Sequence, residues 1–69
     1  MTRAEYYDIL YAIDTVENQE KTYCARYVEL NPEDKARRER DKDLVILGLM
    51  HLRYEIQRRF KDRIETASA

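Results

Sequence analysis

The sequence is poor in the residues that turn or break a polypeptide chain. It contains one glycine and one proline among 69 residues, whereas an all-β sandwich or barrel needs turn residues at regular intervals. Its apolar content of 43% is too high and too regularly spaced for a flexible linker. No apolar run reaches the roughly 18 residues that a membrane-spanning helix needs. These absences predict a small all-α protein whose single domain covers residues 1–69.

The side chains and motifs that commonly bind metals or catalyse reactions are equally scarce. Cys24 is the only cysteine and His51 the only histidine, whereas a zinc site needs three or four ligands. The sequence has no glycine-rich phosphate loop and no nucleophile elbow. Cys24 is predicted to be a small buried apolar residue, and a lone thiol fits a reducing, cytoplasmic compartment. We therefore expect neither enzymatic activity nor a cofactor or metal.

The strongest turn signal lies near the middle of the chain, at Asn31-Pro32. We expect the Asn31 side chain to cap a following helix, in which Pro32 suits the first position. Thr2 and Glu5 have the spacing of a capping box at the start of a first helix. The predicted organisation is a helix over 3–29, a turn at 30–31, a helix over 32–65 and a frayed tail over 66–69.

So short a turn predicts that the two helices form an antiparallel hairpin. The first helix carries an apolar stripe with steps of three and four residues. This stripe consists of Tyr6, Ile9, Ile13, Val16, Glu20, Tyr23, Tyr27 and Leu30. Glu20 is the one charged residue in it. In an antiparallel hairpin Glu20 comes opposite Lys42, with Arg38 one turn away, so we expect an ion pair across the hairpin.

The second helix has two apolar seams on nearly opposite sides. The seam predicted to pack against the first helix contains Val45, Leu49, Leu52, Ile56, Phe60 and Ile64. The antiparallel register leaves two choices open: Val16 meets Val45 or Ile46, and Ile9 meets Leu52 or Arg53. The other seam would stay in water in a single chain and contains Leu44, Leu47, His51 and Tyr54. A second copy packed antiparallel about an axis near residue 49 would bury that seam. The sequence therefore predicts a homodimer that forms a four-helix bundle.

Two further groups of residues are candidates for binding a partner. Tyr7 and Tyr11 lie on the first helix, away from its stripe, and exposed tyrosines at helical spacing often anchor protein partners. The alternative is that they pack against the second protomer. The basic residues of the second helix suggest phosphate contacts instead. These are Arg37, Arg38, Arg40, Arg58, Arg59 and Arg63. Acidic residues often stand three or four positions from these arginines. That spacing is typical of a solvated helix with salt bridges along its surface, which is the competing interpretation.

The function that these patterns favour is a small non-enzymatic protein–protein interaction module, an adaptor, inhibitor or regulator that acts as a helical homodimer. The first alternative is an RNA- or DNA-binding helical bundle with a regulatory role. The second is a structural or assembly component of a larger particle.

Overall fold

The computed structural model of the protein contains two long α-helices that lie side by side. It describes the backbone of residues 2–68 and the side chains of residues 2–61. In chain order the elements are helix α1 (Arg3–Leu30), a 3₁₀ turn (Pro32–Asp34) and helix α2 (Lys35–Ser68). The described residues contain no strand, which confirms the all-α prediction. The molecule is elongated, measuring 56 × 17 × 9 Å.

Helix α1 begins with the predicted capping box. The Glu5 backbone N–H donates to Thr2 Oγ1 over 3.1 Å, and the Thr2 backbone N–H donates to Glu5 Oε1 over 3.3 Å. The first turn thereby satisfies amide groups that a helix otherwise leaves without partners. The hydrogen bonds from Thr2 also lower the pKa of Glu5.

At the turn, the prediction for Asn31 is wrong. Its side chain makes no capping hydrogen bond to the following helix. The Asn31 Nδ2 group donates to the Tyr27 carbonyl oxygen over 3.0 Å, and the Asn31 backbone N–H donates to the same oxygen over 2.8 Å. Asn31 thus closes the end of α1, because the last carbonyls of a helix also need donors. Pro32 occupies the first turn of the next element, as predicted.

Helix α2 starts and ends later than the sequence predicts. The residues from Pro32 to Asp34 form a tighter 3₁₀ turn, so the α-helix proper begins at Lys35. It continues to Ser68, through most of the tail predicted to fray. Ala69 lies outside the described residues.

The core between the helices is thin. Among the described side chains only Ile13, Cys24 and Phe60 are buried, with exposures of 6%, 3% and 7%. The ring of Tyr6 stacks on that of Phe60, with centroids 4.0 Å apart and planes at 7°. This stack joins the two helices at the open end of the hairpin. The buried position of Cys24 confirms its predicted role as a small apolar residue.

The faces that meet are rotated from those predicted. On α2 the half-buried positions include Ile46, Leu49, Arg53 and Ile56, whereas Val45 and Leu52 are exposed. The α1 stripe likewise loses three members to solvent, namely Val16, Tyr23 and Leu30. On α2 the half-buried residues are the second of each pair that the register left open, Ile46 rather than Val45 and Arg53 rather than Leu52. For the three α1 residues the prediction was wrong, because a helix has 3.6 residues per turn. A stripe drawn in steps of three and four therefore drifts around a straight helix. Ile64 lies outside the described side chains.

Ion pairs connect the helices beside this core. Arg38 Nη1 lies 2.8 Å from Glu20 Oε1, and each of these side chains is 19% exposed. This confirms the predicted pairing of Glu20 and identifies Arg38 as its partner. Arg53 also pairs with Asp14 across the hairpin. These contacts lie on opposite sides of the middle of the hairpin and help to set its register.

Candidate protein-interaction site

Helix α2 exposes a contiguous apolar surface on the side that faces away from α1. We call this surface the outer face, and it consists of Leu44, Leu47, Met50, His51 and Tyr54. Leu44 is 61% exposed, Leu47 49% and Tyr54 66%. At 100° per residue, the centre of the outer face points roughly 140–160° away from the side of α2 that packs on α1, and Met50 lies at its edge.

The outer face forms a shallow groove. Leu47, Met50, His51 and Tyr54 line it together. Apolar residues scattered singly over a protein surface need no explanation, whereas a contiguous apolar patch marks an interaction site or an aggregation hazard. The sequence identified this surface except for Met50, which lies three residues after Leu47 and so falls on the same side of the helix.

Charged residues flank the outer face. By helical spacing, Arg40 and Arg58 continue it at its two ends, and Asp43 and Glu55 lie one turn inside them. Arg58 Nη2 donates to Glu55 Oε2 over 3.0 Å, and this hydrogen bond lowers the pKa of Glu55. An apolar centre with a polar rim is the usual anatomy of a protein–protein interface.

A second groove lies on the outer edge of α1. The lining residues are Tyr11, Asp14, Thr15, Asn18, Gln19, Thr22 and Tyr23. We call it the α1 groove. The Thr15 hydroxyl donates to the Tyr11 carbonyl oxygen over 2.9 Å, and the Thr22 hydroxyl donates to the Asn18 carbonyl oxygen over 3.0 Å. Because these hydroxyl protons are used within the helix, the groove offers aromatic rings, methyl groups and amides, together with the Asp14 carboxylate that pairs with Arg53.

The two tyrosines singled out in the sequence lie in different surroundings. Tyr11 is 75% exposed and belongs to the α1 groove, whereas Tyr7 is 60% exposed and lies outside it. The Tyr7 ring packs edge-on against Tyr6, with centroids 5.2 Å apart. Tyr23, at the other end of the groove, was assigned to the core stripe and is exposed. Tyr11 and Tyr23 therefore line the two ends of one groove, which sequence reasoning did not identify.

The arginines of the nucleic-acid alternative engage carboxylates. Arg37 pairs with Asp34 and Asp41, and Arg38 is half-buried against Glu20. Arg58 and Arg59 both approach Glu55. Arg40 is exposed at the end of the outer face, and Arg63 lies outside the described side chains. By helical spacing, the described arginines at positions 37, 38 and 40 point in different directions around α2.

A hydrogen-bonded cluster closes the hairpin at its turn. The Tyr27 hydroxyl donates to Asp34 Oδ2 over 2.6 Å, and Arg37 Nε donates to Asp34 Oδ1 over 2.8 Å. The bond from Arg37, followed by that from Tyr27, lowers the pKa of Asp34 to about 2. The same hydroxyl–carboxylate bond raises the pKa of Tyr27. This cluster ties the end of α1 to the start of α2.

Two kinds of site are not found in the part of the chain that the structure describes. No group of three or more His, Cys, Asp or Glu side chains there could hold a metal ion. No helix within those residues is long and apolar enough to cross a bilayer. Comparisons of the chain with protein-family models, with curated proteins and with solved structures find no match.

Proposed function

We propose that the protein is a small non-enzymatic protein–protein interaction module that works as a homodimer. The observation that carries this proposal is the outer face of α2, an apolar groove of contiguous exposed side chains. A hairpin with three buried side chains among those described has little core of its own, and small domains of this kind commonly gain stability by oligomerising.

The energetics of burial favour covering this face. Full burial of a leucine, methionine or similar side chain contributes about 1.5–3 kcal/mol. Leu47 is 49% exposed in the single chain, so covering the remainder of such a side chain contributes about 1 kcal/mol. A homodimer gains each contribution twice, because a two-fold interface uses the same patch on both copies.

The mass of the protein in solution tests the dimer. Light scattering at micromolar concentration should give twice the chain mass of 8.4 kDa. Leu47→Asp should give a monomer, because it places a charge in the apolar groove. Leu30→Asp is the matched control, since Leu30 is 82% exposed at the end of α1, and it should leave the dimer intact. A wild-type monomer, or equal effects of the two substitutions, would contradict the proposal.

In the proposed dimer, the tyrosines of α1 bind a different protein. Tyr7 and Tyr11 point away from α2, so the hairpin does not need them for its core. Combining Tyr7→Ala with Tyr11→Ala should leave the mass unchanged and lower the melting temperature only slightly, through the lost edge-on contact of Tyr7 with Tyr6. It should weaken capture of a partner from host lysate by about 30–800-fold, because interface tyrosines commonly contribute about 1–2 kcal/mol each. Loss of the dimer would assign both rings to the second protomer instead.

The alternatives are tested in the same preparation. Nucleic-acid binding through phosphate contacts would weaken steeply as salt rises. We expect no such binding, because Arg37, Arg38, Arg58 and Arg59 are engaged by carboxylates. A structural or assembly component would give masses well above that of a dimer at the same concentrations.

A further inference from the structure

We infer that His51 makes the homodimer sensitive to pH, so that the two copies associate at neutral pH and separate when the imidazole gains a proton. This inference rests on the proposed function, because it requires a second copy to cover the outer face. It does not depend on whether the two copies run parallel or antiparallel. A two-fold interface uses the same patch of both chains, so the groove that contains His51 is covered in either arrangement.

His51 lies within the apolar groove of the outer face, and it is the one histidine of the chain. Leu47, Met50 and Tyr54 line the groove with it, and its side chain is exposed in the single chain. Among the described residues His51 makes no hydrogen bond or ion pair. In the monomer, water therefore solvates the imidazole in either charge state, and covering the groove removes that water.

The charged groups of α2 near His51 offer no partner for an imidazolium. Glu55 lies one turn further along the helix, and its carboxylate is engaged by Arg58 at 3.0 Å and by Arg59 at 3.7 Å. One carboxylate and two guanidinium groups give this neighbourhood a net positive charge. A proton on His51 would increase it.

The other elements do not supply the missing negative charge. Among the described residues no charged group of α1 faces His51, because the centre of the outer face points away from α1. A second copy brings the same groups as the first, including its own His51 and its own Glu55 with two arginines. Towards the other end of its outer face it brings Asp43 and Arg40, whose charges are opposite. Together these groups carry no net negative charge.

Protonation therefore opposes association. Covering an imidazolium with apolar side chains removes its water without giving it a partner, and the imidazolium of the other copy repels it. A histidine ordinarily changes its charge near pH 6.5. Because the monomer accepts the proton and the dimer excludes it, association is strongest above that pH and weakens as the pH falls below it. At pH 5.5 the weakening reaches about tenfold for each imidazole, or about 100-fold in the dissociation constant of the dimer.

The dissociation constant measured against pH tests the inference. Sedimentation equilibrium of the wild-type chain should show a dimer at pH 7.5 and a dissociation constant about 100-fold higher at pH 5.5. His51→Gln keeps a polar side chain that cannot gain a proton, and it should remove most of this pH dependence. Glu55→Gln is the matched control, because it removes the carboxylate one turn away and keeps the imidazole. It should retain the pH dependence.

A second measurement uses the wild-type chain alone. The imidazole proton resonances of His51, followed by NMR, should report protonation at a lower pH in a concentrated, dimeric sample than in a dilute, monomeric one. This readout holds even if His51→Gln fails to associate. The same titration midpoint in both samples would contradict the inference.

The outcomes separate the inference from the proposed function. A monomeric wild-type chain at pH 7.5 would overturn both. A dimer with the same dissociation constant at pH 7.5 and pH 5.5 would overturn the pH sensitivity and leave the dimer standing. Equal pH dependence in wild type and His51→Gln would also overturn the inference, because another group would then be responsible.

Discussion

Replacing Gly48 by alanine tests the description of α2 at its glycine, the residue type with the lowest helix propensity apart from proline. In the single chain, the added methyl group meets nothing within 4 Å, so it carries no steric cost. Alanine is favoured over glycine in a helix interior by about 0.8–1 kcal/mol. For a domain of this size, about 1 kcal/mol corresponds to a rise in melting temperature of about 4–8 °C.

Melting temperatures measured in a monomeric background report the stability of the hairpin alone, without a contribution from the dimer. In a Leu47→Asp background, which we expect to be monomeric, Gly48→Ala should raise the melting temperature followed by circular dichroism. Ala25→Gly, at an exposed position within α1, is the matched control and should lower it by a similar amount. A loss of stability in the monomeric background would refute the reasoning.

Two further predictions concern ion pairs of the hairpin. Because the pKa of Asp34 is lowered to about 2 from its ordinary value of 3.8, its stabilising effect is present above pH 4 and disappears as the pH falls toward 2. Melting temperatures of wild type and Asp34→Asn should therefore converge between pH 5 and pH 2, and a constant difference would contradict this. Glu20→Lys should lower the melting temperature at neutral pH, because it places a cation beside Arg38, whereas Glu20→Leu should be neutral or stabilising. If a double-mutant cycle with Arg38→Ala shows no coupling free energy, the ion pair between Glu20 and Arg38 does not stabilise the hairpin.

Local patterns in the sequence determined the elements of the fold. The capping box at Thr2 and Glu5 and the break at Asn31-Pro32 placed the ends of α1 to within one residue, because capping depends on neighbours along the chain. The second apolar seam of α2 was likewise visible as a periodic pattern, and its members are exposed in the single chain. The pairing of Glu20 with a basic residue of α2 followed from antiparallel geometry alone.

Tertiary structure decided how the two helices are rotated against each other. Val45 and Leu52 are as apolar as Leu49 and Ile56, so composition could not tell which of them would meet α1. That choice depends on ring stacking between Tyr6 and Phe60 and on the ion pair between Asp14 and Arg53, which join residues far apart in the chain. In the same arrangement Tyr23 is exposed and lines the groove that contains Tyr11. A periodic pattern of apolar residues shows that a helix has an apolar side. The rotation of that helix about its own axis, relative to its neighbour, is set by contacts that exist only once both helices are packed.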